Sequence, residues 1–390
     1  MEFKHRINRL FSVTLSPFVL SRAEQEKRLD AYNNPRNLIE RSYFQFHIQF
    51  QVFPLYKRIF NNFLGVFSIL YFGGVALLQR KLQVKTNNHK STKTAIFPYK
   101  NYHYPGVIPT ELEKEFEIEK IDFMSGFQMG LRELKFIFRI WTQYPFQFYF
   151  LSKCFSKILF YRHIIDNYSP DSIIVSSEYS FISSVATLYC RQNQVEHINI
   201  THGEHFYFIR DCFFEFDRFY VWDNFYTELF IKLRAAPSQF LVGEYPSLKM
   251  NIVRGQEKYN YTYYLAAEDE AQLCKIKTTI TKLDKKENLC IRFHPRYSQK
   301  ETILKVFNGF NIEDPKEISL EESFNNTRNV MSLYSACMTQ AYFNGKAVVI
   351  DDVSHPQEKL TTLRESEYLI FSKPHLLAST ILANKEFEHA

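Results

Sequence analysis

The sequence feature that most constrains the fold is an alternation of short β-branched or aromatic runs with longer stretches of helical apolar spacing. Strand patterns occupy residues 94–99, 172–175, 197–200 and 218–222, and helical patterns occupy residues 124–141, 147–168 and 181–191. A chain that alternates in this way forms βαβ units, in which parallel strands are covered by helices.

The alternation begins again after residues 243–246, with strand patterns at residues 262–266, 289–293 and 347–350 and helical patterns at residues 269–283 and 335–343. Two such runs in 390 residues agree with the two domains that this length favours. We therefore predict an α/β fold with two Rossmann-like domains facing a cleft, residues 91–250 and residues 251–390. A mainly helical, basic N-terminal region, residues 1–90, precedes them and ends in a polar linker at residues 85–93.

The N-terminal quarter carries the whole basic excess. Residues 1–100 contain 16 Lys and Arg against five Asp and Glu, whereas residues 101–390 contain 32 against 37. The apolar run FLGVFSILYFGGVALL, residues 63–78, is shorter than the roughly 20 residues of a spanning helix. It either attaches to anionic lipid or forms a buried helix, and the region could equally pack on the catalytic core or form a dimer. We expect peripheral attachment at the inner face of the plasma membrane.

Cysteine usage and the N-terminus indicate a cytoplasmic protein. The six cysteines are scattered without CxxC spacing, which indicates neither a zinc site nor a disulfide framework. The first 25 residues lack a continuous apolar core and a small-residue cleavage site, so we interpret them as unprocessed.

Several function classes are excluded. The sequence contains no GxGxxG, GxxxxGK[ST], HExxH or GxSxG pattern. Nucleic acid is not an expected partner, because residues 101–390 are net acidic and their basic residues are not interleaved with aromatic ones. The acidic residues of RDCFFEFDRFYVWD, residues 210–223, are interpreted as solvated loop and strand positions, with a metal site as the weaker alternative.

Polar residues follow the predicted strands of the first run, where parallel sheets bind ligands. Residues 176–178 (SSE) follow one strand and residues 201–204 (THGE) follow the next. His202 is suited to accept a proton from a hydroxyl near neutral pH, and Gly203 lets the backbone approach a ligand closely. The alternative is an ordinary hydrogen-bonded histidine.

The second run contains a candidate anion site. His294, Pro295 and Arg296 follow a strand, and a rigidly held pair of cationic groups suits a phosphate oxygen. Ser332 and Ser335 lie before or at the start of a predicted helix, where hydroxyls and free backbone amides bind anions. The alternatives are a surface-loop histidine and simple helix capping.

The order of these motifs resembles a known enzyme class. The segments THGE (201–204), DRFYVWDNFYTELF (217–230), LVGEYPSLK (241–249), IRFHPR (291–296) and SLYSACMTQAYFNGKAVVIDD (332–352) follow one another as in GT-B type bacterial surface-polysaccharide glycosyltransferases. The resemblance covers residues 94–375 and runs toward two groups. One is the HP-motif sialyltransferase-like group, and the other is the CDP-glycerol glycerophosphotransferase-like polymerases of wall teichoic acid.

The resemblance implies a donor site in the second domain. His294 would contact the donor phosphate, with Pro295 and Arg296 beside it, and Ser335 and more remotely Ser332 would hold phosphate oxygens. Many relatives carry a glutamate on the following helix that grips the ribose, and this sequence has no acidic residue there.

The resemblance also implies a base in the first, acceptor-side domain. The sialyltransferase-like group uses an acidic residue in a short acidic-acidic-Gly motif. This chain has THGE instead, so the base would be His202 or Glu204, and a sialic acid donor is less directly implied.

The implied activity is an inverting transfer from a nucleotide-activated donor, with a cytidine nucleotide such as CMP-sialic acid expected. The acceptor would be a glycan or a lipid-linked glycan, and the product capsule, lipopolysaccharide or O-antigen. No cofactor or metal is expected, because protein cations and helix amides can neutralise the leaving phosphate. The alternatives are a CDP-polyol phosphotransferase, a nucleotide-sugar 2-epimerase and a non-catalytic GT-B-like scaffold.

Overall fold

The computed structural model describes residues 18–78, 92–99, 106–122, 129–253 and 255–388. The chain divides into two compact units, residues 1–247 and 248–390. The N-terminus that we interpret as unprocessed lies mostly outside the described residues, and so does the predicted linker. The first residues of the helix predicted from residue 124 lie outside them as well.

The first unit is built on a parallel six-stranded sheet with the order β2-β1-β3-β4-β5-β6. Its strands are β1 (Thr94–Tyr99), β2 (Glu117–Asp122), β3 (Ser172–Val175), β4 (Glu196–Ile200), β5 (Arg218–Val221) and β6 (Phe240–Val242). Its helices are α1 (Arg22–Asp30), α2 (Leu38–Gln51), α3 (Leu55–Leu78), α4 (Thr110–Glu115), α5 (Leu131–Gln143), α6 (Phe148–Tyr168), α7 (Ser183–Gln192) and α8 (Asn224–Lys232).

Strands β3 and β4 lie at the centre of this sheet, and their side chains are buried on both faces. Ile173, Ile174, Ile198 and Ile200 are fully buried. Continuous burial of this kind is typical of parallel strands covered by helices on both sides. The ends of β3 and β4 therefore lie side by side at the same edge of the sheet.

Helix α2 is part of the first unit, so this segment of the N-terminal region packs on the α/β core. The hydroxyl of Ser42 accepts a hydrogen bond from the backbone N–H of Val185 at 2.8 Å. The guanidinium of Arg41 donates to the carbonyls of Phe213 and Arg234. These bonds satisfy backbone groups that would be costly to bury without partners.

Helix α3 crosses α6 at very short distance. A Cβ atom on Gly65 would lie 2.5 Å from backbone atoms of Phe148 and Tyr149, so only glycine fits at this crossing. The side chain of Asn62 donates to the carbonyl of Phe146 and accepts from the N–H of Tyr149. Among the helices of the described residues, α3 included, none has the length and apolar character needed to span a membrane.

The second unit contains another parallel six-stranded sheet, with the order β12-β11-β10-β7-β8-β9. Its strands are β7 (Tyr259–Tyr264), β8 (Leu289–Arg292), β9 (Asn311–Glu313), β10 (Thr327–Ser332), β11 (Ala347–Ile350) and β12 (Leu376–Leu377). Its helices are α9 (Glu270–Leu283), α10 (Lys300–Val306), α11 (Leu320–Asn326), α12 (Ala336–Phe343), α13 (Gln357–Glu365), α14 (Leu369–Ser372) and α15 (Ala378–Glu388).

The predicted α/β class with two Rossmann-like sheets is confirmed. Several short or polar strands have no counterpart in the sequence prediction, and the most consequential of them is β10, which lies between β11 and β7. Its sequence TRNVMS contains no continuous apolar run, because Arg328 and Asn329 are polar. In the structure Arg328 is exposed, and Asn329 donates to the carbonyl of Asn260. Ser332 is therefore the last residue of a strand and not part of the loop before a helix.

Candidate functional site

The register between β3 and β4 brings their two terminal loops together in the first unit. Val175 pairs with Asn199, so the residues that follow each strand start at the same level. The Asn199 side chain accepts from the N–H of Ser177 at 2.8 Å and donates to Oε2 of Glu178 at 2.9 Å. These two bonds hold the Glu178 carboxylate in place beneath the loop that follows β4.

Glu178 is fully buried between two histidines of that loop. Its Oε1 lies 4.0 Å from Nδ1 of His202 and 3.8 Å from Nε2 of His205. A buried carboxylate favours positive charge on its neighbours, because the Coulomb interaction is strong where water is excluded. The Glu178 carboxylate therefore lies between two imidazole rings, one on each side of Oε1.

His205 forms the inner part of this charged cluster. Its Nδ1 lies 3.5 Å from Oδ2 of Asp211, and Asp211 also accepts from Nε of Arg210 at 2.8 Å. Burial alone would lower the pKa of His205, but the hydrogen bond to Asp211 and the charges of Glu178 and Asp211 leave that pKa raised. Burial raises the pKa of Asp211, yet the bond to His205 and the charge of Arg210 outweigh it and leave the pKa lowered.

His202 lies at the solvent side of the cluster. Its side chain is 28% exposed while its Nδ1 is buried on the side of Glu178. A Cβ atom on Gly203 would meet no atom within 4 Å, so the space beside the backbone of Gly203 is open. The carboxylate of Glu204 accepts a hydrogen bond from the hydroxyl of Tyr226 at 2.6 Å. Of the two candidate bases, His202 thus combines solvent access with a buried carboxylate behind the ring.

Helix α2 holds the walls of this site from the side of the N-terminal region. The Gln45 amide donates to the carbonyls of Glu178 and Arg210, at 2.8 and 2.9 Å. The Gln49 amide donates to the carbonyls of Tyr179 and Arg210, at 3.1 and 2.7 Å. Because each amide connects the loop after β3 to the turn that contains Asp211, α2 sets the spacing between the carboxylates.

The HP motif follows β8 in the second unit, and its histidine has a defined proton position. Nδ1 of His294 accepts from the backbone N–H groups of Arg296 at 3.1 Å and Tyr297 at 3.3 Å. Burial and the charge of Arg296 lower the pKa of His294, which favours the neutral ring. A neutral imidazole that accepts at Nδ1 carries its proton on Nε2. Nε2 is therefore a hydrogen-bond donor.

The HP loop is joined to the end of β7 through one hydroxyl. Oγ of Ser298 accepts from the N–H of His294 at 2.8 Å and donates to the carbonyl of Ala266 at 2.9 Å. Pro295 and Arg296 are exposed at the tip of this loop.

The two candidate serines of the second unit differ in accessibility. Ser335 is the N-cap of α12, where its Oγ accepts from the N–H of Cys337 at 3.3 Å, and it is half-buried. Ser332 is buried, and its Oγ donates to the carbonyl of Tyr264 at 2.9 Å. The hydroxyl of Ser332 is thus engaged within the sheet and lies away from solvent.

No protein-family model and no curated protein sequence matches the chain. Solved structures are similar to it at low identity. The UDP-GlcNAc 2-epimerase of Methanocaldococcus jannaschii, in complex with UDP-GlcNAc and UDP, is 11% identical over 73% of this chain and 93% of its own, with a TM-score of 0.38. The lipopolysaccharide outer core galactosyltransferase WaaB is 12% identical over 68% and 83%, with a TM-score of 0.40. Anabaena Alr3699/HepE in complex with UDP is 9% identical over 76% and 90%, with a TM-score of 0.43. At these values the similarities assign no activity and no residue role.

The structure brings some predicted residues together and adds others. His202, Gly203 and Glu204 share one loop of the first unit, and His294 to Arg296 share one loop of the second. Sequence reasoning noted Glu178 at a strand end but did not pair it with His202, and it missed His205. It interpreted Asp211 as a solvated position, whereas that carboxylate is buried. The available signal was the spacing of two histidines three residues apart after a strand, next to a strand that also ends in an acid. Within the described residues, no group of three or more His, Cys, Asp or Glu side chains is arranged to hold a metal ion.

Proposed function

We propose that this chain is an inverting glycosyltransferase that uses a nucleotide-activated sugar to assemble a bacterial surface polysaccharide, such as capsule, lipopolysaccharide or O-antigen. The observation that carries the proposal is the partly exposed imidazole of His202 at the end of β4, with the buried carboxylate of Glu178 behind it. A base of this construction suits removal of a proton from a sugar hydroxyl near neutral pH.

The proposed reaction is a single displacement at the anomeric carbon of the donor. The acceptor hydroxyl oxygen forms the new bond to that carbon as the bond from the carbon to the phosphate oxygen breaks. The hydroxyl proton passes to His202, and the electron pair of the broken bond stays on the departing phosphate. Glu178 stabilises the imidazolium that forms, as a buried carboxylate does beside a catalytic histidine.

The proposed donor site is the HP loop together with the start of α12. The Nε2–H of His294 would donate to a phosphate oxygen of the leaving nucleotide, and Arg296 would add a positive charge. Ser335 and the backbone amides of the first turn of α12 would bind further phosphate oxygens. Among donors we favour a cytidine nucleotide such as CMP-sialic acid, because the HP motif of the sialyltransferase-like group supports it.

The proposed transfer needs no metal and no other cofactor. A nucleoside monophosphate carries a charge small enough for one imidazole, one guanidinium and helix amides to stabilise. The acceptor is a glycan or a lipid-linked glycan. We place the protein on the cytoplasmic side of the plasma membrane, where such acceptors are available.

A nucleotide-sugar 2-epimerase is the second candidate, and one observation favours it. That reaction needs acidic groups near the base, and the first unit places three carboxylates, Glu178, Glu204 and Asp211, in the loops around His202 and His205. An epimerase changes the sugar without an acceptor, whereas a transferase consumes donor only with an acceptor, or slowly with water.

Thermal-shift measurements with CMP, CDP, UDP, GDP and CMP-sialic acid test the donor site. A cytidine nucleotide should raise the melting temperature of the wild type and leave that of His294→Ala unchanged, while the control His375→Ala should respond like the wild type. Stabilisation by UDP or GDP would overturn the cytidine donor. A folded protein that responds to no nucleotide would overturn the transferase in favour of a scaffold.

The reaction class is tested by product analysis of the wild type with each donor that binds. Donor consumption that depends on an added glycan acceptor supports transfer. Conversion of the donor to its C2 epimer without an acceptor would establish the second candidate instead.

A further inference from the structure

Helix α3 exposes a long apolar stripe on the side opposite to its packing face. The stripe contains Ile59, Phe60, Phe63, Phe67, Leu70 and Tyr71, each between 45% and 67% exposed. Their spacing of mostly three and four residues places them along one face of the helix. Because Gly65 and Asn62 hold α3 firmly against α6, this exposure is not the result of a loosely packed helix.

Helix α5 exposes a second apolar stripe. It contains Leu131, Leu134, Phe138 and Trp141, each between 43% and 70% exposed, while Phe136 and Ile140 on the other face are buried. Helix α5 is strongly amphipathic, yet part of its apolar surface remains exposed to solvent. Single exposed apolar residues are ordinary, but two such stripes in one unit indicate an interaction surface.

The two helices pack on the same part of α6. Ile69 and Phe72 of α3 and Ile137 of α5 pack against one buried cluster formed by Phe155 and Leu159. The helices therefore flank the same stretch of α6, and we name their exposed apolar stripes together the α3/α5 surface.

The charges on these two helices have one sign wherever they reach solvent. The basic side chains are Lys57, Arg58, Arg132, Lys135 and Arg139. The single acid of the two helices, Glu133, is buried, where it accepts from the N–H of Gly130 and the hydroxyl of Tyr189. A surface on two helices whose solvent-reaching charges are all basic is complementary to a partner that is apolar inside and anionic outside.

We propose that the α3/α5 surface binds the face of an anionic phospholipid bilayer. Its apolar stripes would enter the boundary between headgroups and acyl chains, and its basic side chains would contact lipid phosphates. Trp141 and Tyr71 are of the type that is enriched at this depth.

This inference gives a defined surface to the peripheral location in the proposed function, but it does not depend on transferase activity. It also differs from attachment through residues 63–78 alone, since α5 supplies four of the ten exposed apolar side chains. The test contains no donor and no acceptor, so failure of the proposed function leaves its outcome unchanged.

The experiment is sedimentation of the full chain with vesicles of phosphatidylcholine alone and of phosphatidylcholine mixed with phosphatidylglycerol. We expect binding to the anionic vesicles only, weakened by salt. The variants Phe67→Asp and Trp141→Asp should each lower the bound fraction about tenfold, since each places a charge in the apolar stripe. Leu304→Asp, which changes an exposed leucine of α10 in the second unit, is the matched control and should bind like the wild type.

Fluorescence measures insertion directly. The chain has two tryptophans, so a Trp222→Phe variant leaves Trp141 as the reporter, and its emission should shift to the blue with anionic vesicles and be quenched by brominated lipid. Circular dichroism melts establish that each variant is folded.

Three outcomes would overturn the proposal. The first is that the chain sediments equally with both kinds of vesicle, or with neither. The second is that both Asp variants bind anionic vesicles as well as the wild type does. The third is that light scattering shows a dimer of the wild type that dissociates in Phe67→Asp. The last would assign the surface to a second copy of the chain.

Discussion

Oε1 of Glu178 lies 4.0 Å from Nδ1 of His202, across the adjacent ends of β3 and β4. The carboxylate is fully buried, while the imidazole is 28% exposed, so the ring stands between the acid and solvent. This order suits a base that has a carboxylate behind the ring and solvent access in front of it. It joins two residues 24 positions apart in the sequence.

Replacing the base tests its role most directly. We expect His202→Gln to lower the transfer rate by about 10²–10⁴-fold, the usual contribution of a general base, with the thermal shift by nucleotide unchanged. Initial rates with labelled donor and acceptor measure this, and His375→Gln is the control. If Glu204→Gln abolishes transfer while His202→Gln does not, Glu204 is the base.

Neutralising the carboxylate behind the base tests whether Glu178 acts as a positioning residue. Glu178→Gln keeps the side-chain shape and the bond from Asn199 but removes the charge that faces His202. We expect kcat to fall by about 10- to 100-fold with little change in the acceptor KM, because the charge acts on the protonated base and not on ground-state binding. A purely structural role would instead lower the melting temperature and leave kcat of the folded protein unchanged.

The stability of the first unit should depend on pH through His205. Its pKa is raised in the folded state above the unfolded value of about 6.5, so the folded protein holds the proton more tightly. The stabilisation is complete below that value and is lost as the pH rises through the folded pKa. The free energy of unfolding in urea should therefore decrease from pH 6.5 upward.

The variant Asp211→Asn separates this effect from other titrations. It removes the negative charge of Asp211 and leaves at most a neutral acceptor, so the pKa of His205 should be raised less and the slope of stability against pH above 6.5 should flatten. The lowered pKa of Asp211 itself matters only as the pH falls below about 3.8, outside this range. An unchanged slope in the variant would show that another group carries the dependence.

The crossing of α3 and α6 predicts opposite effects for two glycines of one helix. Gly65→Ala places a Cβ 2.5 Å from backbone atoms of α6 and should lower the free energy of unfolding by about 1–3 kcal/mol. At Gly74 a Cβ meets no atom within 4 Å, so Gly74→Ala should raise it by up to about 1 kcal/mol through helix propensity. Chemical denaturation measures both, and equal effects would contradict the close crossing.

Much of the sheet framework could be predicted from local pattern, because several of its strands are short runs of mostly apolar residues. SIIV and AVVI lie within β3 and β11 as expected, and the helix before β11 ends near Asn344 and Gly345. Strand β10 escaped prediction because Arg328 and Asn329 interrupt its apolar character, while its central place in the sheet comes from pairing with β7 and β11. Because β10 was not predicted, Ser332 was not expected to lie within a sheet.

The sequence by itself determined the α/β class, the loops that carry His202 and His294, and the basic excess of the N-terminal quarter. These properties follow from residue type and spacing over a few positions. Only the tertiary structure decided that Glu178 and His205 complete the site of His202, that Ser332 is withdrawn into a sheet, and that one face of α3 stays in solvent. Each of these depends on strand order, register or helix crossing, which bring together residues far apart in the chain and which local periodicity does not encode.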